Sequence, residues 1–167
     1  ELMPTLQVPA FFKNKLRVVP LLPKKRNYKS LFPFDYCGIY NREKFLSIEG
    51  YDPLLVNSYW QKLDFGFRTY MWGEHIDGSL DFSITCNATM SPEDNTPDSS
   101  YTLFFLKNLM PQLRNGKGVL SPLQLFPYLL RTGGGLISRI REFRQVKEWV
   151  SLHADRYVSD ARSITEY

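Results

Sequence analysis

Gln61, Asp64 and Arg68 follow one another at intervals of three and four, so on a helix their side chains line up on one face. A carboxylate held there beside a guanidinium can take a proton from a hydroxyl within its reach, or it can serve only as an i, i+4 ion pair. Shortly upstream, Gly50-Tyr51-Asp52-Pro53 has the composition of a turn and carries a second carboxylate. Tyr51, Tyr59, Trp60, Tyr70 and Trp72 gather around the turn and the helix after it. An exposed ring can stack on the apolar face of a ligand while its polar edge hydrogen-bonds, and core packing accounts for most of the five equally well. By position, Trp60 and Trp72 are the choices for ligand contact. Glu93, Asp94 and Asp98 cluster in a polar loop whose ordinary reading is solvation.

Other chemistry is excluded by spacing. His75 and His153 are the two histidines, and neither they nor Cys37 and Cys86 lie at metal-ligand intervals, so no structural zinc site is expected. The chain holds no Gly-x-Ser-x-Gly elbow, P-loop or Gly-x-Gly-x-x-Gly. Gly133-Gly134-Gly135 follows a helical pattern rather than a strand, which favours a hinge over a phosphate cradle.

The elements that must position these residues are read from periodicity. Phe34 to Tyr40, short, aromatic and apolar, predicts a central strand. Asn41 caps a helix through Arg42 to Ile48 that Gly50 stops. Asn57 or Ser58 caps the next helix, in which Trp60, Leu63, Phe67 and Met71 form an apolar stripe and which Gly73 ends. Leu80, Phe82, Ile84 and Cys86 alternate with polar residues as in a half-buried strand. Asp98 or Ser99 caps a helix to Met110 so apolar that it must be buried on several sides. Ser121-Pro122 opens another helix, and Leu136, Ile140, Phe143, Val146 and Val150 make a last stripe flanked by Arg139, Arg141, Arg144 and Lys147.

Composition sets the outer limits. The 167 residues, 43% hydrophobic and 23% charged, suit one domain with a real core. No apolar run is long enough to cross a membrane, and two cysteines in apolar contexts are read as reduced and buried, so a cytoplasmic location is expected. Glu1, without an apolar h-region behind it, reads as the start of a trimmed or partial chain. Asn87-Ala88-Thr89 matches a glycosylation sequon that matters only in a secretory compartment. The net charge of +4 is uneven: between Lys13 and Lys29 seven basic residues occur with no acid. With Pro4, Pro9, Pro20, Pro23 and Pro33, they make residues 1–33 an extended Pro/Lys-rich segment packing on the domain. No nucleic-acid reading motif accompanies this charge, so no nucleic-acid partner is assigned.

Four local patterns in order then carry a resemblance: Phe34 to Tyr40, Asn41-Arg42-Glu43-Lys44-Phe45, Gly50-Tyr51-Asp52, and Gln61-Lys62-Leu63-Asp64-Phe65-Gly66-Phe67-Arg68. Residues 34–73 resemble the acceptor-binding half of family-two-like GT-A nucleotide-sugar glycosyltransferases of bacterial type. The resemblance implies an α/β chain, the C-terminal part of a Rossmann-like GT-A fold, with a mixed sheet, flanking helices and a helical C-terminal extension. Residues 34–111 would be the acceptor-side core and 112–167 the extension. It implies transfer of a sugar from a nucleotide donor to a hydroxyl of a glycan or lipid-linked glycan. Asp64 would orient or deprotonate the acceptor, Gln61 would hydrogen-bond it and Arg68 would hold Asp64. Asp52, Tyr51, Trp60, Trp72 and Arg42 would contact substrate.

Two departures from the family pattern qualify this. Its helix opens with acids where this chain has Gln61 and Lys62, so Asp64 is either a displaced base or the structural partner of Arg68. The chain also has no Asp-x-Asp, the motif that holds the divalent cation on the sugar-nucleotide diphosphate. The expected Mn or Mg and the donor therefore belong to an N-terminal donor-binding half outside this sequence, and the chain alone is expected to be inactive. The alternative is a non-catalytic module of the same origin that binds glycan or docks a protein. A peripheral contact with the inner face of the membrane, through the basic-flanked stripe at Leu136 to Val150, is the lesser alternative to burial of that stripe.

Overall fold

The computed structural model describes residues 6–12, 15–81, 85, 93–132 and 135–165. It is mixed α/β, and each sheet among the described residues is an antiparallel pair. Strands β1 (Leu6–Phe12) and β2 (Lys15–Leu21) form a hairpin. Its prolines are tolerated because a two-stranded ribbon leaves each strand one free edge: Pro9 faces Val18 and Pro20 faces Gln7. Residues 6–12 and 15–21 thus pair with each other. The hairpin is tied to the next strand, β3 (Asn27–Ser30), where the Gln7 amide donates to Ser30 Oγ at 2.9 Å and the Leu31 amide to the Gln7 carbonyl at 2.9 Å. β3 pairs with β4 (Ile76–Ser79).

The central strand predicted at Phe34 to Tyr40 does not form. Phe34–Tyr36 is a 3-10 turn, and Asp35 and Tyr36 are left-handed at φ 45° and 61°, which breaks any extended run. The aromatic residues are held by their hydroxyls instead of a ladder: Tyr36 donates to Gln61 Oε1 at 2.9 Å and Tyr40 to the Tyr36 carbonyl at 2.8 Å. Cys37, expected to be buried, is exposed. Without that strand the expected mixed sheet gives way to separate pairs. Most of the strand predicted from Leu80 to Cys86 lies outside the described residues, as does Asn87.

Helices follow their caps closely. The Asn41 side chain accepts from the Lys44 amide to start α1 (Arg42–Ser47), and Gly50, at φ +55°, returns its amide to the Phe45 carbonyl at 2.9 Å. Asn57 accepts from the Tyr59 and Trp60 amides to start α2 (Ser58–Met71), and Gly73 at φ +85° follows its end. α2 is buried almost all round because Gly66 lets it lie on the Leu31 backbone, where a Cβ would stand 2.1 Å from the carbonyl oxygen. Asp98 caps α3 (Ser99–Phe104), which widens into one π-turn over Phe105–Leu109 and buries Lys107 and Asn108 with the apolar side chains.

A short hairpin, β5 (Gln112–Arg114) and β6 (Lys117–Val119), precedes a capping box of Ser121 and Gln124 that leads into α4 (Leu125–Arg131). In α5 (Leu136–Leu152), Phe143, Val146 and Val150 are buried in the core. That part of the stripe is therefore not free for a membrane. The C-terminal turns come back beneath α2: the Val158 amide donates to the Met71 carbonyl at 2.8 Å, and Tyr157, Ala161 and Ile164 are buried. One hydrophobic cluster runs from Leu31 to Ile164 through α2, α3 and α5. Among the described residues no helix is long and apolar enough to cross a membrane.

Candidate functional site

Asp64 and Arg68 are the centre of the polar interior. Both are fully buried, and Arg68 Nε and Nη2 meet Asp64 Oδ2 at 2.8 and 2.7 Å. The rest of the guanidinium satisfies the end of α1, with Nη1 donating to the Ile48 carbonyl and Nη2 to the Gly50 carbonyl at 2.5 Å. Asp64 Oδ1 accepts from Asn108 Nδ2 at 2.7 Å and faces Lys107 Nζ at 3.3 Å. Burial alone would raise the Asp64 pKa; the charges of Arg68 and Lys107, with the hydrogen bonds from Asn108 and Arg68, hold it below the usual carboxylate value. Asp64 is thus an ionised pivot with donors on both oxygens, closed off from the surface.

Gln61 does not join it. Its amide group donates to the Asp52 carbonyl at 2.8 Å and accepts from Tyr36, so it fastens the Gly50–Pro53 turn to α2. The face expected to point at an acceptor points into the protein.

The chain of charges continues through buried Lys107 to Asp52. Its ammonium lies 2.6 Å from Asp52 Oδ2 and 4.5 Å from the centre of the Trp149 ring. Together these three groups stand in a cleft of about 700 Å³ that Glu49, Glu142 and Gln145 also line. The tryptophan is fixed from behind: its ring stacks on Trp72 at 5.7 Å, its N–H donates to Glu49 Oε2 at 3.3 Å, and His153 Nε2 lies 2.7 Å from Glu49 Oε1. Arg156 covers Trp72 at 3.9 Å. An aromatic side chain, a carboxylate and an ammonium in one concave site suit a polyhydroxylated ligand, which presents apolar C–H groups and alternating donors and acceptors at its edge.

Of the site residues singled out in the sequence, Asp52 and Arg68 line this cleft. Trp72 supports the wall from the buried side, and Trp60 is buried elsewhere, its N–H donating to the Thr96 carbonyl at 3.0 Å and its ring stacked on Phe104. Tyr51 and Arg42 line a second hollow of about 300 Å³ with Tyr36, Tyr40 and Phe45. Burial first, then the hydrogen bond with Tyr40 at 2.7 Å, raises the Tyr51 phenol well above its ordinary pKa, so it stays neutral. Lys62, at a position where the family pattern has an acid, is buried and paired with Glu93. Lys107 and Trp149, which also line the cleft, are not among the residues the sequence singles out. The one signal for Lys107 was a Lys-Asn pair inside the otherwise apolar run Leu103 to Met110.

A divalent cation does not fit the cleft's carboxylates. Asp52 is neutralised by Lys107, Glu49 is engaged by His153 and Trp149, and Glu142 by Arg139 and Tyr128. Among the described residues no three His, Cys, Asp or Glu side chains converge as metal ligands. Comparison with protein-family models, curated proteins and solved structures finds no match for this chain.

Proposed function

We propose that this chain is the acceptor-binding part of a GT-A-type nucleotide-sugar glycosyltransferase, and that the cleft between the Gly50–Pro53 turn, the π-turn and α5 receives the acceptor sugar. The observation that carries the reading is the meeting of Trp149, Asp52 and Lys107 in one cleft, formed at the turn whose Gly-Tyr-Asp sequence belongs to the resemblance. Trp149 packs its half-buried ring edge against the sugar, Asp52 accepts a hydrogen bond from the hydroxyl to be glycosylated, and Lys107 donates to a neighbouring oxygen. Asp64 is then a positioning residue: it holds Lys107 toward Asp52 and Arg68 under the turn. The diphosphate and its cation belong to the donor-binding half, where an Asp-x-Asp is expected. A second reading, glycan binding without transfer, is favoured by Gln61 and Lys62 standing where the family has acids and by the engagement of every cleft carboxylate.

Both readings are tested by titrating the chain with a panel of neutral and amino-sugar oligosaccharides while following tryptophan fluorescence. A saturable change that Trp149→Ala abolishes, and that Asp52→Asn weakens about tenfold, is expected, since one lost hydrogen bond to a charged group costs about 1.5 kcal/mol. No response to any glycan, or a response indifferent to both substitutions, removes the cleft from the proposal. The two readings separate in the donor: calorimetry with uridine and guanosine diphosphate sugars plus manganese is expected to show little or no binding by this chain. Micromolar affinity would put the nucleotide site here and overturn the division of the fold.

A further inference from the structure

The helix α4 is apolar on both sides. From Pro122 to Leu130 the one polar side chain without a ring is Gln124, and no residue is charged. One side is used: Tyr128 is fully buried, meets the Phe143 ring at a tilt with centroids 5.9 Å apart and donates to Glu142 at 2.7 Å. The other faces solvent, with Leu123 86%, Phe126 69% and Leu130 73% exposed at spacings of three and four. Leu136 and Ile137, which open α5 after the glycines, are 61% and 77% exposed. A solvent-facing helix surface is ordinarily polar, and this concentration of large apolar side chains in one helical hairpin marks an interaction face.

Charge identifies what covers it. Between Pro111 and Lys147 stand Arg114, Lys117, Arg131, Arg139, Arg141, Arg144 and Lys147 against a single acid, Glu142, which is already bonded to Arg139 and Tyr128. Ile137, Arg141 and Arg144 recur at spacings of four and three, so exposed apolar and basic groups share a face of α5 until Glu148 ends it. Exposed apolar side chains along α4 and at the start of α5, with exposed arginines further along α5, match an anionic bilayer surface: the former enter the acyl boundary and the latter meet the phosphates. A second copy of the chain is a poorer cover, because a two-fold contact through this face would bring Arg141 and Arg144 toward their own equivalents.

We infer that the α4–α5 hairpin seats this protein on anionic lipid through Leu123, Phe126, Leu130 and Ile137, with Arg141 and Arg144 at the headgroups. The inference stands independently of the proposed sugar site. It is tested by sedimenting the full chain with vesicles of phosphatidylcholine alone and of phosphatidylcholine with about one third phosphatidylglycerol, at low and high salt. Salt-releasable binding to the anionic vesicles only is expected. Arg141→Gln with Arg144→Gln should weaken it roughly 30-fold, at about 1 kcal/mol for each basic residue at the surface. Phe126→Ser with Leu130→Ser should weaken it at least about tenfold without moving the unfolding midpoint, since both side chains are exposed. Leu123→Ser with Ile137→Ser removes the same face outside the body of α4, so misfolding of the first pair leaves the test standing. Failure to bind either vesicle overturns the inference, as does binding that survives both apolar pairs. A dimer in sedimentation velocity that the apolar pairs dissolve, without lipid binding, would assign the face to a second copy.

Discussion

At the scale of single residues, Asp64 is a balance of opposed effects. Desolvation disfavours its charge, yet two cations and an amide donor keep it ionised, so the pair with Arg68 matters most for what its removal would leave behind. Asp64→Asn retains a hydrogen-bonding group of the same size, strands the buried Arg68 guanidinium and leaves Lys107 with Asp52 as its one carboxylate partner. Loss of about 3 kcal/mol or more is expected in denaturant unfolding at neutral pH, far above the ~1 kcal/mol ceiling of an exposed pair. The pH dependence has a definite sign. Because the folded-state pKa is lowered, the contribution of Asp64 is complete above its unfolded value near 4 and is lost as pH falls through the folded value. The wild type should therefore lose stability below about pH 4 more steeply than Asp64→Asn does. Parallel acid limbs in the two proteins would mean that Asp64 is not held ionised in the fold.

At the scale of elements, close contact between backbones decides more than side-chain chemistry does. Gly66 faces the Leu31 carbonyl at a distance that no Cβ can occupy, and the obstacle is backbone rather than a side chain that could turn aside. Gly66→Ala should push α2 off β3's exit and cost about 3 kcal/mol or more, whereas an alanine in the middle of an exposed helix would be stabilising. A melting temperature equal to or above that of the wild type would contradict this packing. Asn57→Ala, which frees two amides at the start of α2, should cost about 1 kcal/mol in the same assay. Such elements were legible in the sequence because their signals are local: Asn41, Asn57, Asp98 and Ser121 all cap where their types and positions indicate. The run Phe34 to Tyr40 departs from the expected strand because a short aromatic, apolar run looks like one, and nothing local reveals that Asp35 and Tyr36 adopt left-handed angles. The site was legible only in part for a related reason. Asp52 sits in a recognisable turn, but its partners Lys107 and Trp149 come from elements far along the chain, and no periodicity encodes that meeting.

At the scale of the whole molecule, the three small sheets among the described residues cannot supply a core, and helices α2, α3 and α5 close one around the C-terminal turns. Those turns act as a fastening. Tyr157 packs where Gly118 leaves room on β6, with a Cβ there standing 2.3 Å from its ring; Tyr70 donates to the Ser163 carbonyl at 3.0 Å; and Ile164 is fully buried. Burying Tyr157, Ala161 and Ile164 contributes on the order of 5 kcal/mol, comparable with the whole net stability of an ordinary domain. Ending the chain after His153 should therefore abolish cooperative unfolding and leave a compact state that keeps helical circular dichroism but binds a hydrophobic dye. Ile164→Ala alone should cost about 2–5 kcal/mol while unfolding stays cooperative. The comparison separates fastening from simple packing: a shortened chain that melts cooperatively near the wild-type temperature would show that the core closes without its last turns. Because Val158 and Arg156 clamp Met71 and Trp72, and Trp72 backs Trp149, the same truncation should also abolish the glycan response of the cleft. Ile164→Ala, at glycan concentrations above saturation, should leave that response in place.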